Sequence, residues 1–151
     1  MIRRVVRRDR RRGVAAVEFA FVMPAILALL VGIWELGRLI EIQQLMTNAA
    51  REGARLAVVS TNSTSGVTTS QIQSTVTGFL AGQTVNNLAV QVYQADPTTG
   101  NNVGTWNSAP FGSNIAVQVD LDYVPIVPVN LGITPNTLHL TAKSMMRCEA
   151  N

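Results

Sequence analysis

The sequence predicts an α+β protein with one long N-terminal helix, a short second helix and a small antiparallel sheet of about three strands. Three observations predict this class. A long apolar run with a single charge follows a cluster of arginines near the N-terminus. Apolar residues then recur at helical spacing, and three later segments alternate apolar and polar residues. At 151 residues, the chain can form one compact domain on one anchor.

The first helix begins beside a strongly basic tail. Seven of the 12 basic residues are arginines between residues 3 and 12, whereas residues 14–151 carry five basic and eight acidic side chains. A basic tail indicates either nucleic acid or a membrane surface as the partner. Because no aromatic residue lies among the arginines and an apolar run follows them, we expect a membrane and no nucleic acid.

Residues 14–34 predict a transmembrane helix. These 21 residues hold one charge, and they reach roughly 30 Å, the thickness of the hydrocarbon core of a bilayer. The run is longer than that of a secretory signal, and no A-x-A cleavage motif follows it. By the positive-inside rule, residues 1–13 form a cytoplasmic leader and the chain after residue 35 lies outside the cytoplasm.

Glu18 is the feature that a simple anchor does not explain. An acid deep in a span costs about 2.5–3.5 kcal/mol on insertion scales and usually has a partner. Its side chain can snorkel to the interface, become protonated, or pair with Arg11 or Arg12. A cut between Gly13 and Val14 offers another partner, because the new α-ammonium of Val14 would lie about one helical turn from Glu18. In a bundle of identical helices, the carboxylate can also pair with the ammonium of a neighbouring chain.

This N-terminal stretch is similar to a known family. The segment "RRRGVAAVEFAFVMPAILALL" resembles the class III signal of prepilins, in which a basic leader ends in glycine, here Gly13, and a glutamate stands at the fifth position beyond the cut. The pair Glu18-Phe19, followed by "MPAILALLVGIWELGR", is similar to the TadE-like pseudopilins of tight-adherence (Tad) pilus systems. The segments "LMTNAAREGARLAVV" and "LTAKSMMRCEA" also resemble that family. Phe19 departs from the tyrosine common in Tad prepilins, so an aromatic ring is kept and the hydroxyl is absent.

The resemblance implies a processed structural protein of pilin-like shape, located in the bacterial inner membrane or in a pilus and acting in adherence. Its partners would be a prepilin peptidase, other pilins or pseudopilins, and Tad assembly proteins. Gly13 would admit the peptidase and break the helix before Val14, and Glu18 and Phe19 would serve recognition and assembly. Two alternatives stay open: an uncleaved single-pass anchor that presents a binding module, and a pseudopilin of a type II secretion machine.

Two features of the first helix concern its packing. Pro24 has no amide donor and predicts a kink in the span. Residues 35–59 continue the helix as a stalk, which gives about 46 residues and roughly 70 Å in all. The small residues Ala49, Gly53 and Ala57 follow one another at i, i+4 and i+8, a spacing that permits close approach to another element. We expect them to pack on the chain's own domain rather than on another subunit.

Residues 60–151 predict an α+β head outside the membrane. A Ser/Thr/Gly link, residues 60–70, ends the stalk. We expect Ser70 to cap a short helix, "QIQSTVTGFLAG", and Gly82 to end it. The apolar face of this helix consists of Ile72, Val76, Phe79 and Leu80.

Three alternating segments predict the strands of the sheet: residues 88–94, 115–124 and 137–146. Alternation gives the sheet one apolar and one polar face, and we expect the apolar face to pack on the stalk and the short helix. The long loop between the first two strands contains Trp106 and Phe111. These aromatic residues either contact another surface or fold back on the sheet, and we favour the second arrangement.

Nothing in the sequence indicates catalysis. The only histidine is His139 and the only cysteine is Cys148, and one cysteine cannot form an internal disulfide. Asp120 and Asp122 share a strand face, but no further ligands accompany them, so we expect no metal site. Because the chain has neither a phosphate-binding loop nor a nucleophile elbow, we expect no enzyme, no cofactor and no small-molecule substrate.

Overall fold

A computed structural model describes most of the chain, namely residues 9–61, 66–125 and 137–148. Residues 1–8 of the predicted leader lie outside the described residues, and so do the side chains of Arg11 and Arg12. The described elements, in chain order, are α1 (Asp9–Ser60), α2 (Thr69–Phe79), β1 (Val85–Ala95), β2 (Asn102–Gly104), β3 (Asn114–Tyr123) and β4 (Leu138–Arg147). The predicted α+β class is therefore confirmed.

The chain divides between Gly37 and Arg38 into two compact units. Among the described residues, the first unit consists of the N-terminal part of α1. In the described part of the chain, α1 is also the one helix whose length and apolar composition would let it cross a membrane. This single apolar helix near the N-terminus indicates membrane anchoring.

The start of α1 differs from the sequence prediction. The helix begins at Asp9 rather than at Val14, so Gly13 lies within it and does not break it. A glycine in a helix interior costs only about 0.8–1 kcal/mol relative to alanine. Extending an existing helix past one such residue is easier than nucleating a new one. Pro24 also lies inside the helix, which continues on both sides of it.

The second unit contains an antiparallel sheet of four strands in the order β2-β1-β3-β4. The sequence predicted about three strands, and the additional one is β2. It has three residues and pairs with the end of β1 through Gln94↔Gly104 and Ala95↔Asn102. A strand this short carries no alternation signal, so its sequence is typical of a loop.

The core of the second unit lies on one face of this sheet. β3 and β4 pair in one uninterrupted antiparallel register, from Asn114↔Arg147 to Tyr123↔Leu138. The apolar face predicted for β3 is confirmed, because all five of its members are buried: Ile115, Val117, Val119, Leu121 and Tyr123. These side chains pack in one cluster with residues of α1 and α2, as expected for a half-polar sheet covered by helices.

Helix α2 begins with a capping box. Thr68, rather than the predicted Ser70, is the N-cap: its hydroxyl accepts from the backbone N–H of Gln71, and the Gln71 side chain accepts from the backbone N–H of Thr68. Both Thr68 and Ser70 have a glutamine three residues later, but the Gln71 side chain completes the pair with Thr68, whereas Nε2 of Gln73 donates to the backbone carbonyl oxygen of Val90. Of the predicted apolar face, Ile72, Val76 and Leu80 are buried and Phe79 is exposed.

Candidate functional site

The predicted processing site lies on the first turns of α1 that have described side chains. Gly13, Val14 and Glu18 are all exposed, and a Cβ added at Gly13 would meet nothing within 4 Å. Val14 and Glu18 are four residues apart and therefore share one face of the helix. Phe19, the neighbour of Glu18, is also exposed. The backbone at this site is therefore accessible, although it is helical.

Glu18 has no partner among the described side chains, which do not include those of Arg11 and Arg12. The residues around it on α1 are apolar and exposed, among them Val17 and Phe21. A carboxylate surrounded by apolar side chains and lipid needs a hydrogen-bond donor or a cation close by. The geometry of the helix places the backbone nitrogen of Val14 about one turn away, on the same face.

Farther along α1, the small-residue stripe packs within the second unit. Ala49, Gly53 and Ala57 are buried. A Cβ added at Gly53 would lie 2.8 Å from Cγ2 of Val76 and 3.2 Å from Cγ1 of Val117. Helix α1 therefore approaches α2 and β3 so closely that a side chain at this position would force its neighbours to shift.

A comparison with protein families finds a match to this helix. Residues 13–55 match the family model described as TadE-like protein. The similarity to this family is confined to that segment of the chain. The match begins at the predicted scissile glycine, Gly13, and it includes Glu18, Phe19, Pro24 and Gly53. No curated protein and no solved structure matched the chain.

The TadE-like match supports a pilin-like protein associated with a Tad pilus. The TadE-like family consists of structural components of pili and not of enzymes. The sheet lies outside the matched residues.

The polar face of the sheet carries a hydrogen-bonded cluster that the sequence analysis did not find. We call it the polar-face cluster, and it consists of Asn87, Gln118, Asp120, Asp122, His139 and Thr141. Asp122 accepts from Nδ2 of Asn87 at 2.7 Å, and its Oδ1 lies 2.9 Å from Nδ1 of His139. Asp120 accepts from Oγ1 of Thr141 at 2.7 Å and from Nε2 of Gln118 at 2.9 Å. The cluster thus joins β1, β3 and β4 through their side chains.

The donors in the polar-face cluster determine what it can do chemically. An ionised carboxylate only accepts hydrogen bonds, so Nδ1 of His139 carries a proton in its contact with Asp122. Both carboxylates are occupied by donors of their own chain. In the part of the chain that the structure describes, no group of three or more His, Cys, Asp or Glu residues could hold a metal ion. The arrangement therefore cross-links the strands.

The polar-face cluster predicts a pH dependence of stability. Hydrogen bonds from Asn87 and His139 lower the pKa of Asp122 below its ordinary value. A lowered pKa contributes stability above the ordinary value, about 3.9, and this contribution is lost as the pH falls through the lower value of the folded state. We therefore expect Asp122→Asn to reduce stability at pH 7 and to flatten the loss of stability on acidification, measured as unfolding midpoints between pH 7 and pH 3.

A second carboxylate sets the control for this measurement. Backbone N–H groups of Thr99 and Thr98 lower the pKa of Asp96 with the same sign, so some acid sensitivity will remain in Asp122→Asn. The variant Asp96→Asn should remove a separate part of the decrease of the unfolding midpoint with falling pH, because Asp96 lies in a turn outside the cluster. If Asp122→Asn had the same pH profile as the parent chain, the role of Asp122 would be contradicted.

The loop aromatics behave differently from each other. Trp106 folds back as expected: it is 5% exposed, and its Nε1 donates to Oγ1 of Thr69 at 3.0 Å. Phe111 is 63% exposed and does not fold back. Cys148 is fully buried. The sequence could not separate the two aromatics, because both lie in the same Gly/Asn/Ser-rich loop.

Proposed function

We propose that the chain is a TadE-like pseudopilin, or minor pilin, of a Tad pilus assembly system. A prepilin peptidase cuts it after Gly13, and the mature chain acts as a structural component of the pilus or of its assembly machinery. The observation that carries this proposal is the TadE-like match, which begins at Gly13, the residue that separates the arginine leader from the apolar helix. The fifth residue beyond that bond is Glu18, as the resemblance to prepilins requires.

The topology of the proposed pseudopilin follows from its charges. Seven arginines precede the helix, so the N-terminus stays in the cytoplasm and the second unit lies on the far side of the inner membrane. The scissile bond is then on the cytoplasmic side. Removal of the leader takes away all seven arginines and leaves a nearly apolar N-terminus that can move within the membrane plane.

The bond between Gly13 and Val14 lies within a helix, and this conformation affects how a peptidase can bind it. Because Gly13 and Val14 lie within α1, the backbone must open locally before a peptidase can bind it. Glycine is the residue that stabilises a helix least after proline, and its opening is correspondingly easy. Nothing crowds Gly13, so the enzyme can approach the backbone closely.

Cleavage would create a new partner for Glu18. The new α-ammonium of Val14 lies about one turn from the carboxylate, and the free N–H groups of the helix N-terminus add positive charge at the same end. In a medium of low dielectric constant the attraction is strong. A carboxylate that pairs instead with the ammonium of a neighbouring chain would fix the axial register of the two helices.

The proposal predicts that the chain recovered from the membranes of its host begins at Val14. Intact-mass analysis with N-terminal sequencing measures this directly, and the mass should be lower by that of residues 1–13. The variant Gly13→Leu should retain the leader. The matched control is Gly37→Leu, because Gly37 is also a helical glycine with nothing within 4 Å, and it should be processed normally.

The contrary result has a definite meaning. A parent chain that still carries "MIRRVVRRDRRRG" in its own host would contradict processing. It would leave an uncleaved single-pass anchor, and Glu18 would then need another partner.

A further inference from the structure

The two edges of the sheet differ in how well they are covered. β2 pairs with the end of β1, and farther along β1 the side chain of Gln73 donates from Nε2 to the backbone carbonyl oxygen of Val90 at 3.0 Å. The opposite edge is β4, whose ten residues contain no proline and pair with β3 without any shift in register. We call the side of β4 that faces away from β3 the open edge. A long, regular edge strand is a template on which another strand can pair.

The ladder between β3 and β4 determines which backbone groups lie on the open edge. The backbone N–H of Cys148 donates to the carbonyl oxygen of Ser113, one position beyond the pair Asn114↔Arg147. Because hydrogen-bonded and non-hydrogen-bonded pairs alternate along antiparallel strands, every second residue of β4 directs its N–H and C=O away from β3. These residues are His139, Thr141, Lys143, Met145 and Arg147. Among the residues that the structure describes, none forms a hydrogen bond with these outward backbone groups.

The polar side chains of β4 do not shield the open edge. Charged side chains, lysine above all, often protect an edge strand from pairing. Here His139 and Thr141 are turned toward the two carboxylates of β3 in the polar-face cluster. Lys143 is held still farther from the edge: its Nζ donates to the carbonyl oxygen of Gly100 at 3.0 Å and lies 5.8 Å from the ring centre of Tyr93 on β1. These side chains therefore lie over the sheet and leave the backbone of the open edge accessible.

The core-facing side of β4 would gain burial from an added strand. Leu138, Leu140 and Met146 lie on that side, and they pack against the core without being fully buried. The core-facing side chains of β3 are all buried, and that strand has a neighbouring strand on each side. An apolar residue opposite each of the three would remove more apolar surface from water, which is favourable. The open edge therefore fits a segment whose residues on this side are apolar.

The polar side of β4 adds a preference for acidic residues. Lys143 and Arg147 lie on that side, and neither forms an ion pair with a described acidic side chain. Residues directly opposite one another on neighbouring strands have Cβ atoms about 4.5–5.5 Å apart, so carboxylates opposite these cations would attract them. β4 itself contains no acidic residue. A second copy of β4 would therefore bring only more cations, whereas an acidic segment of another protein would bring the complementary charge.

We propose that the open edge binds an extended, acidic segment of another protein, which adds to the sheet as a fifth strand beside β4. The backbone of the segment pairs with the outward groups from His139 to Arg147. Its alternate side chains extend the apolar face on one side and place carboxylates opposite Lys143 and Arg147 on the other. In this mode of recognition, main-chain hydrogen bonds supply affinity and alternate side chains supply specificity. The binding requires neither removal of the leader nor a pilus, so it is tested independently of the proposed function.

Binding of a fluorescent peptide to the full chain in detergent, measured by anisotropy, tests the proposal. The probe has about eight residues, a usual length for a strand. Valine alternates in it with polar residues, which include glutamates at the separation of Lys143 and Arg147. Methyl groups on the backbone nitrogens of one edge prevent the probe from pairing with itself. A control peptide methylated on both edges cannot donate to the C=O groups of the open edge, and it should bind at least about ten times more weakly.

A second control peptide tests the preference for acidic residues. It has lysine in place of each glutamate of the probe, so that like charges face Lys143 and Arg147. At low ionic strength it should bind about three to ten times more weakly than the probe. This difference should decrease as salt is added, because salt screens the interaction of exposed charges.

A proline on the open edge provides a matched pair of protein variants. Met145 is exposed and its N–H points away from β3, so Met145→Pro removes no hydrogen bond of the β3–β4 ladder but blocks pairing on the open edge. We expect Met145→Pro to bind the probe at least about ten times more weakly than the parent chain. Met145→Ala keeps the N–H and should bind as the parent chain does. Thermal unfolding checks that both variants are folded.

Several results would overturn the proposal. They are equal binding of the probe and the doubly methylated peptide, equal binding of the lysine peptide at low ionic strength, and unchanged affinity of a folded Met145→Pro. Absence of probe binding to the parent chain would overturn it as well, because that result is expected if a second copy or the chain itself covers the edge. If Met145→Pro does not fold, the comparison of the three peptides on the parent chain decides alone.

Discussion

Substitution of Gly53 by valine is expected to destabilise the second unit severely. The Cβ alone would lie 2.8 Å from Val76 and 3.2 Å from Val117. Both neighbours are fully buried and β-branched, so they cannot rotate away cheaply. Overpacking a core costs typically about 1–3 kcal/mol and sometimes more. The two further methyl groups of valine bring the expected loss to about 3 kcal/mol or more, a large part of the roughly 5–15 kcal/mol that stabilises an ordinary domain.

The smaller change Gly53→Ala gives a graded test with a matched control. Its clash is partly offset by the better helix propensity of alanine, about 0.8–1 kcal/mol, so we expect a net loss of about 1–2 kcal/mol. Gly78→Ala places the same methyl group on α2 where nothing lies within 4 Å. This control should be neutral or slightly stabilising, because only the propensity changes.

Thermal unfolding of the full chain in detergent measures both variants. Near-ultraviolet circular dichroism and the fluorescence change of Trp106 report on the second unit, because Trp106 is buried in its core, whereas the other tryptophan, Trp34, belongs to the first unit. If Gly53→Ala unfolded at the same temperature as the parent chain, or later, the close approach of α1 to α2 and β3 would be contradicted.

The elements that could be predicted from sequence are those whose signal is contained in one segment. The period of the apolar residues predicts α1 over most of its length, and strict alternation predicts β3 with all five buried positions, from Ile115 to Tyr123. In each case the pattern needs no partner to be recognised. The predicted start of α1 was wrong. Glycine has a low helix propensity, which favours a break at Gly13, but extending an existing helix past one glycine costs less than starting a new helix.

The elements that could not be predicted depend on pairing between segments. β2 exists because Asn102 and Gly104 meet the end of β1. The polar-face cluster needs the register that places Asp122 opposite His139, and it needs Asn87, whose positive φ of 52° accompanies an irregularity in the β1–β3 pairing. Alternation puts these side chains on the polar face, but it does not determine which of them meet.

The candidate site also has features that could be predicted from the sequence and features that could not. The arginine leader, Gly13 and Glu18 are read directly from the chain, and the TadE-like match begins at that glycine. The sequence gives no measure of which side of α1 the second unit covers. The structure supplies this information through the buried Ile42 and the exposed Ile40, two residues apart on the same helix. The side of α1 that carries Ile42 therefore packs in the core of the second unit, whereas the side that carries Ile40 is exposed.

Substitution of Glu18 by alanine is expected to leave membrane insertion intact and to abolish pilus assembly. Insertion should be as good as in the parent chain or better, because the change removes an acidic side chain, and insertion scales penalise such a residue within a span, by about 2.5–3.5 kcal/mol at the centre and less near the ends. Assembly should fail, because the proposed partner of the α-ammonium at Val14 is gone and the register between neighbouring helices is no longer fixed. Membrane fractionation and counting of pili by electron microscopy measure the two effects.

The controls separate the role of Glu18 from a general loss of charge or of processing. Glu41→Ala removes an exposed acid from the same helix beyond the predicted span, and it should assemble normally. N-terminal sequencing of Glu18→Ala distinguishes a chain that is cut but not assembled from one that is never cut. Normal piliation by Glu18→Ala would contradict the pairing. Normal insertion together with failed assembly would mean that Glu18, although the membrane disfavours it, serves assembly through its contact with the α-ammonium of Val14.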